Sequence, residues 1–395
     1  MSDSGPESFE ATPRDSSDAS FLRAEVRIDL DAIRHNTARL VEASGSAQVM
    51  AVVKADAYGH GLVESAFAAR QGGAEWLGTA LLDEALILRA AGDSGRLLAW
   101  LAIPGDRFEE CVAADIDVGV STTWGISDLV TASRSAGRPA RVHLKVDTGL
   151  ARGGAFNTDW PALVKSALVA QSSGEISIVG LWSHMVFADK PKHPTVTAQI
   201  ATFNEAVELA ERMGVTPEVR HLANSAATFA LPDTHYDLVR PGISIYGISP
   251  GPEVGTSSSL GLVPAMTVVG RLAQVKRVPA GQGVSYAHLY VTSGEATLGL
   301  VPIGYADGIP RHATNVGPVL AAGKVRTVAG MVCMDQFVLD LGNDAASEGD
   351  EVFLFGPGTR GEPTADDWAI ACDTIPYEIV TSVGPRIPRV FRGGR

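Results

Sequence analysis

The stretch Ala51-Val52-Val53-Lys54-Ala55-Asp56-Ala57-Tyr58-Gly59-His60-Gly61 joins a short apolar run to a polar turn that is rich in glycine. The β-branched residues at its start predict a buried strand, and that strand ends at a lysine. Burial disfavours the charged form of a lysine and lowers its pKa, which makes the amine usable as a nucleophile or a base. A lone lysine at a strand end more often extends its amine to the surface, so the context of Lys54 decides between the two.

The same unit recurs along the next 190 or so positions, as a short apolar run, a polar turn and an amphipathic segment. The apolar runs lie at 52–53, 76–80, 97–101, 118–120, 142–146, 176–182, 219–222 and 238–240, and helical stretches lie between them at 62–71, 82–91, 159–172 and 197–213. Eight strands alternating with helices predict an α/β fold of the TIM type, a (β/α)₈ barrel. A doubly wound open sheet is the alternative, but no Gly-x-Gly-x-x-Gly turn follows any of the runs.

The pattern changes after residue 256. Strand-like runs at 268–272, 296–301, 325–329, 337–340 and 351–355 are separated by glycine and proline turns, with one helix near 364–371. We therefore predict a barrel over residues 23–256 and a C-terminal, mainly-β domain over residues 257–395. The strand-like segment 24–29 lies outside the barrel count and can join the sheet of the second domain. Residues 1–22 are rich in Ser, Asp, Glu and Pro, which predicts a disordered tail.

Composition excludes several classes of function. The chain has 395 residues and a net charge of −13, which argues against nucleic acid or an anionic membrane as a partner. No apolar run is long enough for a transmembrane helix, and the N-terminus has no secretory signal. The three cysteines are few and unclustered, which predicts a cytoplasmic protein with neither a disulfide framework nor a metal site.

Polar residues cluster where the predicted barrel strands end, and the active site of such a barrel lies at the carboxyl ends of its strands. Five strands are followed by such residues: Lys54 and Tyr58, then Lys145 and Arg152, then His184, then Asn224 and Ser225, and finally Arg240, Gly242 and Ile243. Each has an ordinary structural explanation alone, such as a helix cap for Asn224-Ser225 or a surface ion pair for Arg240. Packing does not explain five clusters at matching positions, so we predict a functional site there.

The last two clusters predict a phosphate site, because the loops after strands 7 and 8 of a barrel commonly bind phosphate. Ser225 offers a hydroxyl at the start of a helix, and Gly242 offers a backbone N–H with no side chain in the way. A phosphate there, a reactive lysine across the barrel and an arginine between them suit pyridoxal 5′-phosphate (PLP). No Walker glycine loop points to a nucleotide instead.

From about residue 24 to the end, the chain resembles the bacterial alanine racemases. The matching motifs are Val-Lys-Ala-Asp-Ala-Tyr-Gly-His-Gly (53–61), Lys-Val-Asp-Thr-Gly-Leu (145–150) with Arg152, Ser-His-Met (183–185), Asn-Ser-Ala-Ala (224–227), Val-Arg-Pro-Gly-Ile (239–243), Gly-Val-Ser-Tyr (283–286), Gly-Tyr-Ala-Asp-Gly (304–308), Cys-Met-Asp (333–335) and Tyr377-Glu378. The resemblance implies a PLP-binding barrel with a C-terminal β domain, and a homodimer with shared active sites. It also implies the interconversion of L-alanine and D-alanine, which supplies D-alanine for peptidoglycan.

The resemblance also implies a role for each matching residue. Lys54 carries PLP and acts as one base, and Tyr286 of the partner subunit is the other. Arg240 contacts the pyridine nitrogen, and His184 lies beside the ring. The remaining assignments are Tyr58, Asn224, Ser225, Gly242, Ile243 and Tyr377 for cofactor binding, Arg152 and Met334 for the substrate carboxylate, Tyr305 for the substrate entrance, and Lys145 as a candidate for carbamylation.

Three positions depart from the commoner family pattern. Ala151 and Gly153 flank Arg152 where a glycine and a larger residue are usual, and Ala287 follows Tyr286 where glycine is usual. Such departures affect loop geometry, and through it the rate, without changing the type of reaction.

Three other PLP-binding classes are alternatives. The first is a broad-specificity amino acid racemase of the same fold, which we expect to be exported and to carry a signal peptide. The second is a decarboxylase with a barrel and a β domain, but it needs a carboxylate at the pyridine nitrogen where this chain has Arg240. The third is a single-domain PLP-binding protein, which lacks the domain that carries Tyr286 and Met334.

Overall fold

The computed structural model describes residues 22–394, so residues 1–21, which make up nearly all of the predicted tail, lie outside the described residues. The first strand, β1 (Ala24–Asp29), stands outside the barrel. The barrel strands follow as β2 (Gln48–Val52), β3 (Trp76–Thr79), β4 (Arg96–Ala99), β5 (Asp117–Val120), β6 (Ala140–Lys145), β7 (Ile176–Trp182), β8 (Val219–His221) and β9 (Leu238–Val239).

The eight barrel strands are all parallel, and each pairs with its neighbour in chain order from β2 to β8. Strand β9 pairs with β2, and a parallel bridge between Asn224 and Arg240 links the segments that follow β8 and β9. These pairings close the ring and confirm the predicted (β/α)₈ barrel. Closure brings the carboxyl ends of β2, β6, β7, β8 and β9 to one mouth.

Helices surround the barrel. They span Leu30–Ser44, Leu62–Gln71, Leu82–Ala90, Phe108–Ala113, Thr123–Ala136, Trp160–Ser172, Pro194–Met213 and Ser225–Ala230. The helices Phe108–Ala113 and Thr123–Ala136 have no counterpart among the sequence predictions. The second of these contains glycine, serine and threonine, which favour helices weakly and blur the apolar periodicity. Its ends are nevertheless marked, because Thr122 caps the first turn and Gly137 adopts the left-handed conformation after the last.

The barrel interior has an apolar layer and a polar one. Met50, Trp76, Leu98, Val179, Val219 and Leu238 form a separate buried cluster, against which Trp100 packs. Glycines on alternate strands make room for larger groups, because a side chain at Gly119 would press on Trp100 and one at Gly180 would overlap His143. Side chains from alternate strands fill the interior of such barrels in layers. Here part of that volume is given to histidine and tryptophan.

The C-terminal part is mainly β. Its strands are β10 (Met266–Arg271), β11 (Gln274–Val278), β12 (Gly283–Val284), β13 (Tyr290–Val291), β14 (Ala296–Val301), β15 (Pro318–Ala321), β16 (Lys324–Thr327), β17 (Phe337–Gly342), β18 (Glu351–Phe355) and β19 (Arg389–Arg392). They form a six-stranded sheet in the order β16-β15-β18-β10-β1-β19, a three-stranded sheet β11-β14-β17 and the pair β12-β13. Two helices, Ala365–Ala371 and Pro376–Ser382, complete it.

Strand β1 belongs to the larger of these sheets. It pairs antiparallel with β10, where Val26 faces Val268, and parallel with β19, where Val26 faces Arg389. Ala24, Val26 and Ile28 are buried, as expected of the inward face of a strand. The chain therefore starts its ordered part in the β sheet before it enters the barrel.

The helix Pro376–Ser382 carries the β domain onto the mouth of the barrel. A side chain at Gly59 would collide with the carbonyl of Val380, so glycine allows the close approach of these two segments. Arg389 also donates from Nε to the carbonyl of Gly59, over 3.1 Å. Within residues 22–394, no helix combines the length and apolarity needed to cross a membrane.

Candidate active site

A cavity of about 560 Å³ opens at the carboxyl ends of the barrel strands. Its volume lies in the range of ordinary small-molecule sites. It is lined by eleven of the residues that the sequence singles out: Lys54, Tyr58, Lys145, Arg152, His184, Asn224, Ser225, Arg240, Gly242, Ile243 and Tyr377. The structure thus brings together residues from five barrel strands and one helix of the β domain.

Lys54 and Tyr58 are placed by an unusual left-handed turn. Ala55, Asp56, Ala57 and Tyr58 have φ values of 55°, 52°, 54° and 54°. This conformation costs roughly 1–2 kcal/mol per residue for amino acids with a Cβ atom. As a result, the amine of Lys54 lies 5.9 Å from the centroid of the Tyr58 ring, and both side chains line the cavity.

The cavity is strongly positive. Lys54, Lys145, Arg152 and Arg240 line it, and Glu378 is the single carboxylate among the described residues that do so. Burial, followed by the charge of Arg152, lowers the pKa of Lys54. Burial, followed by the charges of Arg240 and Arg152, lowers the pKa of Lys145 to about 8. Both amines therefore lose their protons more readily than a lysine in water.

Arg240 is buried and held from several sides. Its Nη2 donates to the carbonyl of Ser183 over 2.7 Å and to that of Leu222 over 3.2 Å. The same nitrogen lies 3.4 Å from Nδ1 of His184. Burial and the charge of Arg240 lower the pKa of His184 well below its usual value, so this imidazole is neutral. Burial also lowers the pKa of Arg240, but a guanidinium keeps its proton in proteins.

A chain of buried polar groups runs from Arg240 through the barrel interior. Nη1 of Arg240 lies 3.1 Å from Nδ1 of His221, Nε2 of His221 lies 2.8 Å from Nδ1 of His143, and Nε2 of His143 lies 3.0 Å from Asp117. Arg141 donates to the other oxygen of Asp117 over 2.8 Å. Because a guanidinium can only donate, each link donates toward Asp117, which fixes both histidine tautomers.

The expected phosphate region is built around Gly242. Its N–H donates to Oγ of Ser225 over 2.8 Å, and a Cβ atom at this position would overlap the hydroxyl of Tyr58. Asn224 caps the helix Ser225–Ala230 through a bond of 3.1 Å from the N–H of Ala227. The structure therefore assigns Asn224 the capping role that sequence alone allows, and also places it on the cavity wall.

Three of the expected residues do not line this cavity. Tyr286, Tyr305 and Met334 are 70%, 43% and 54% exposed, on the β domain. Their segments meet there, because Ser285 donates to the carbonyl of Met331 over 2.8 Å and the N–H of Tyr305 donates to the carbonyl of Cys333 over 3.0 Å. The three residues form one exposed face of the chain, which the cavity of the same chain does not reach.

Comparison with known proteins gives a consistent result. Residues 28–250 match the family model of the N-terminal domain of alanine racemase, and residues 265–391 match that of the C-terminal domain. The chain belongs to the alanine racemase family. It is therefore a PLP-dependent enzyme that interconverts L-alanine and D-alanine.

Individual alanine racemases are similar along nearly the whole chain. The protein from Frankia casuarinae is 57% identical over 370 residues, which cover 94% of this chain and 96% of that protein. The protein from Streptomyces coelicolor is 56% identical over 387 residues, which cover 97% and 99%. The solved alanine racemase of the D-cycloserine-producing Streptomyces lavendulae superimposes with a TM-score of 0.94 at 54% identity, covering 94% of this chain and 98% of that one.

The residues of the cavity fit the cofactor of the alanine racemase family. PLP carries a phosphate, and the four cations around the cavity compensate such a charge. The absence of a side chain at Gly242 leaves room beside the hydroxyls of Ser225 and Tyr58, which are suitable donors to phosphate. Arg240, held rigidly in the wall, offers a donor to a ring nitrogen.

Sequence reasoning missed several residues that the structure places in the cavity wall or in the polar chain behind it. Trp100 and Trp182 line the cavity, and Asp117, His143 and His221 complete the polar chain. One signal was available, because His143 lies two positions before Lys145 and so faces the same side of the strand. The others occupy ordinary apolar strands, in which a tryptophan or a histidine has no distinguishing context.

Proposed function

We propose that two copies of this chain racemise alanine together, with Lys54 of one subunit and Tyr286 of the other as the two bases. Racemisation requires proton transfer on both faces of Cα, so two bases must approach from opposite sides. PLP supplies the electron sink that makes this proton removable, by delocalising the charge left on Cα. The side chains of the protein must transfer the proton, hold the cofactor and bind the substrate carboxylate.

The observation that carries the proposal is the location of the tyrosines. Tyr58 and Tyr377 line the cavity with Lys54, but burial raises the pKa of each well above its usual value, which keeps both phenols protonated and unable to accept a proton. Tyr286 is 70% exposed on the β domain and does not line its own cavity. A second subunit can bring this exposed phenol to the cavity mouth, opposite Lys54.

The proposed cofactor contacts follow the wall of the cavity. Arg240 would donate to the pyridine nitrogen of bound PLP, and His184 would lie beside the ring. The phosphate would be held by the set Tyr58, Asn224, Ser225, Gly242, Ile243 and Tyr377. Because Arg240 gives up no proton readily, it would leave the pyridine nitrogen unprotonated. That would limit charge delocalisation into the ring and disfavour side reactions such as transamination.

The substrate carboxylate is assigned to two groups. Arg152 is exposed at the cavity wall and makes no hydrogen bond or ion pair within residues 22–394, so its guanidinium is available. Met334 of the second subunit contributes a backbone N–H, and Tyr305 with Tyr377 narrows the entrance. A cation and an N–H donor together bind the carboxylate of an amino acid. They do not contact the small side chain of alanine.

We also propose that Lys145 is carbamylated. Its amine lies among the cations Lys54, Arg152 and Arg240, which favour its neutral form, and its pKa is lowered to about 8. The neutral amine attacks CO₂, an N–C bond forms and one proton passes to water. The resulting anion offsets the surrounding positive charge and can orient Arg152.

The wider assignments rest on composition and on domain structure. We place the domains at residues 23–256 and 257–395, with β1 contributed to the second. The enzyme is assigned to the cytoplasm, as a homodimer that supplies D-alanine for peptidoglycan. Its net charge of −13 supports neither nucleic acid nor an anionic membrane surface as a partner.

Subunit mixing tests the shared site. Lys54→Ala and Tyr286→Phe should each be inactive as homodimers, since each lacks one base. In a mixed dimer, one site pairs the lysine of the Tyr286→Phe chain with the tyrosine of the Lys54→Ala chain, and it is intact. Activity should therefore return on mixing, at one working site per mixed dimer. If subunit exchange is demonstrated by native mass spectrometry and activity stays absent, the two bases belong to one chain.

A further inference from the structure

Trp182 occupies a central place in the cavity wall that the proposed mechanism leaves without a role. It is the last residue of β7, is 3% exposed and pairs in register with Lys145, the last residue of β6. Paired residues of adjacent parallel strands point to the same side of the sheet, so the two side chains are neighbours at the mouth. The indole packs over Gly119, where a Cβ atom would lie 3.3 Å from the ring.

Two cations lie against this one indole. Nζ of Lys145 is 4.5 Å from the ring centroid, and the guanidinium carbon of Arg240 is 5.0 Å from it. Both distances are within the range in which the π face of tryptophan attracts a cation. The ring of His221 stacks on the same indole at 5.5 Å and 7°, which fixes the orientation of the ring.

Within residues 22–394, Lys145 forms neither a hydrogen bond nor an ion pair through its amine, and the indole of Trp182 is the aromatic ring that its Nζ approaches. The charged or titratable groups around it are Lys54, Arg152, His184, Arg240 and Asp147. Of these, Asp147 alone is anionic, and its Oδ1 already accepts from the N–H groups of three consecutive residues, 149–151.

We infer that Trp182 is a positioning residue that favours the charged form of the Lys145 amine and so limits how readily this amine takes up CO₂. The π face attracts the ammonium form and repels a carbamate, and both effects oppose carbamylation. The effect on the charge of the amine does not depend on carbamylation. The effect on CO₂ uptake rests on the carbamylation proposed above.

The indole nitrogen provides a matched comparison. Nε1 of Trp182 is buried and has no hydrogen-bond partner among the described residues, so the N–H contributes little that a phenyl ring would lose. Trp182→Phe keeps a π face, whereas Trp182→Leu removes it, and both leave a smaller side chain. Trp100→Leu is a control, because Trp100 also lines the cavity but has no cation over its ring within residues 22–394.

The first experiment measures the amine directly. The PLP-loaded enzyme is labelled with trace acetic anhydride at a series of pH values in CO₂-free buffer, and the acetylation of Lys145 is quantified by peptide mass spectrometry. Trp182→Leu should lower the pKa of Lys145 by about half a unit, with Trp182→Phe closer to the wild type and Trp100→Leu unchanged. Equal shifts in the Phe and Leu variants, or no shift in either, would overturn the inference.

The second experiment measures carbamate by ¹³C NMR under ¹³CO₂, with Lys145→Ala to assign the signal. At pH 7, Trp182→Leu should reach half occupancy at a roughly threefold lower CO₂ concentration, because half a pH unit is a threefold change in neutral amine. An unchanged midpoint would contradict the inferred control of CO₂ uptake. If the wild type shows no signal that Lys145→Ala removes, the proposed carbamylation is wrong, and the labelling titration still decides the role of Trp182.

Discussion

Gly242 shows how a single missing side chain shapes the cofactor site. Its N–H is held by Ser225 over 2.8 Å, and the hydroxyl of Tyr58 occupies the space into which a Cβ atom would project. The φ angle here is −118°, outside the left-handed region that favours glycine. The close approach of the tyrosine leaves no room for a side chain at this position.

Gly242→Ala should therefore weaken cofactor binding. Overpacking costs about 1–3 kcal/mol, which corresponds to a loss of PLP affinity of roughly tenfold if the Tyr58 hydroxyl has to move. Equilibrium dialysis of PLP against the cofactor-free protein measures this. Gly294→Ala is the control, since a Cβ atom there meets open space and the residue is not left-handed. Unchanged PLP affinity in Gly242→Ala would refute the proposed phosphate contact of Tyr58.

Two of the three positions that depart from the commoner family pattern share a left-handed backbone conformation. Ala151 has a φ of 54° and Ala287 has a φ of 58°. Glycine is usual at both positions because it adopts these angles without the steric cost that a Cβ atom brings. Sequence could identify the departure, but the reason for it is visible only in the backbone angles.

The left-handed turn after Lys54 is an element that packing must hold in place. Four strained residues persist only when the surroundings fix them. Glu84 accepts from the N–H of Ala55 over 2.6 Å, and Asp56 accepts from the N–H of Leu62 over 2.8 Å. Nδ1 of His60 lies 2.9 Å from the carbonyl of Tyr58, to which it donates, and the imidazole stacks on Tyr246.

His60 should make stability depend on pH. Burial lowers its pKa to about 4, whereas an unfolded histidine has a pKa near 6.5. The unfolded chain therefore binds the proton first as pH falls, so stability is full above pH 6.5 and is lost progressively toward pH 4. Between pH 7 and pH 5 this group should remove about 2 kcal/mol from the free energy of unfolding.

His60→Asn keeps a donor for the turn and removes the titration, so its unfolding free energy should fall less between these two pH values. Urea unfolding at one fixed protein concentration measures the difference, and His35→Asn, at an exposed histidine, is the control. A wild type and a His60→Asn variant with the same pH dependence would show that His60 does not titrate in this range.

The polar chain through the barrel links its two ends. Asp117 lies at the start of β5, and Arg240 lies at the opposite mouth. Because every link donates toward Asp117, the carboxylate at one end determines which nitrogen of His221 is free to accept from Arg240 at the other. A buried polar network of this kind is stable only while each donor has an acceptor.

Asp117→Asn should disturb Arg240 from a distance. The single remaining oxygen cannot accept from Arg141 and also from His143 and Arg96, which share the other oxygen of Asp117. We expect the amide N–H to face His143, which reverses both tautomers and leaves His221 and Arg240 as opposed donors. An unsatisfied buried donor costs about 1–3 kcal/mol, and PLP affinity should fall several-fold. Imidazole ¹⁵N shifts report the tautomers. Glu218→Gln, which meets Arg96 and Arg141 but not His143, is the control, and unchanged shifts in Asp117→Asn would exclude the reversal.

The sequence predicted those strands whose apolar residues follow a strong pattern. The eight barrel strands were found because each is a clear apolar run. Strands β11, β12, β13 and β15 were missed because they are short, half-exposed or rich in polar residues. The motifs predicted the strand-end residues that line the cavity, and their roles stay predictions. The polar chain could not be predicted in this way, because it depends on contacts between strands that are distant in sequence.

Among residues 22–394, exposed apolar side chains lie both at the barrel mouth and on the β domain. Leu101, Ile103 and Phe156 are 61%, 70% and 54% exposed in loops at the barrel mouth. On the β domain, Leu289 and Val291 are exposed beside the face that carries Tyr286, Tyr305 and Met334. Contiguous exposed apolar groups commonly mark an interface. In the proposed homodimer, a twofold arrangement that joins the mouth of one subunit to the β-domain face of the other would bury both at once.

Ile103→Asp should break that dimer without unfolding the chain, because the side chain is exposed in the monomer and its charge would be buried only in the interface. Sedimentation should show monomers, and circular dichroism should be unchanged. Racemase activity should fall by orders of magnitude, since a monomer lacks Tyr286 in its cavity. Val169→Asp, at a position 60% exposed on the helix Trp160–Ser172, is the control and should remain dimeric and active. A fully active Ile103→Asp monomer would show that one chain supplies both bases, whereas a stable, active dimer would place the interface elsewhere on the molecule.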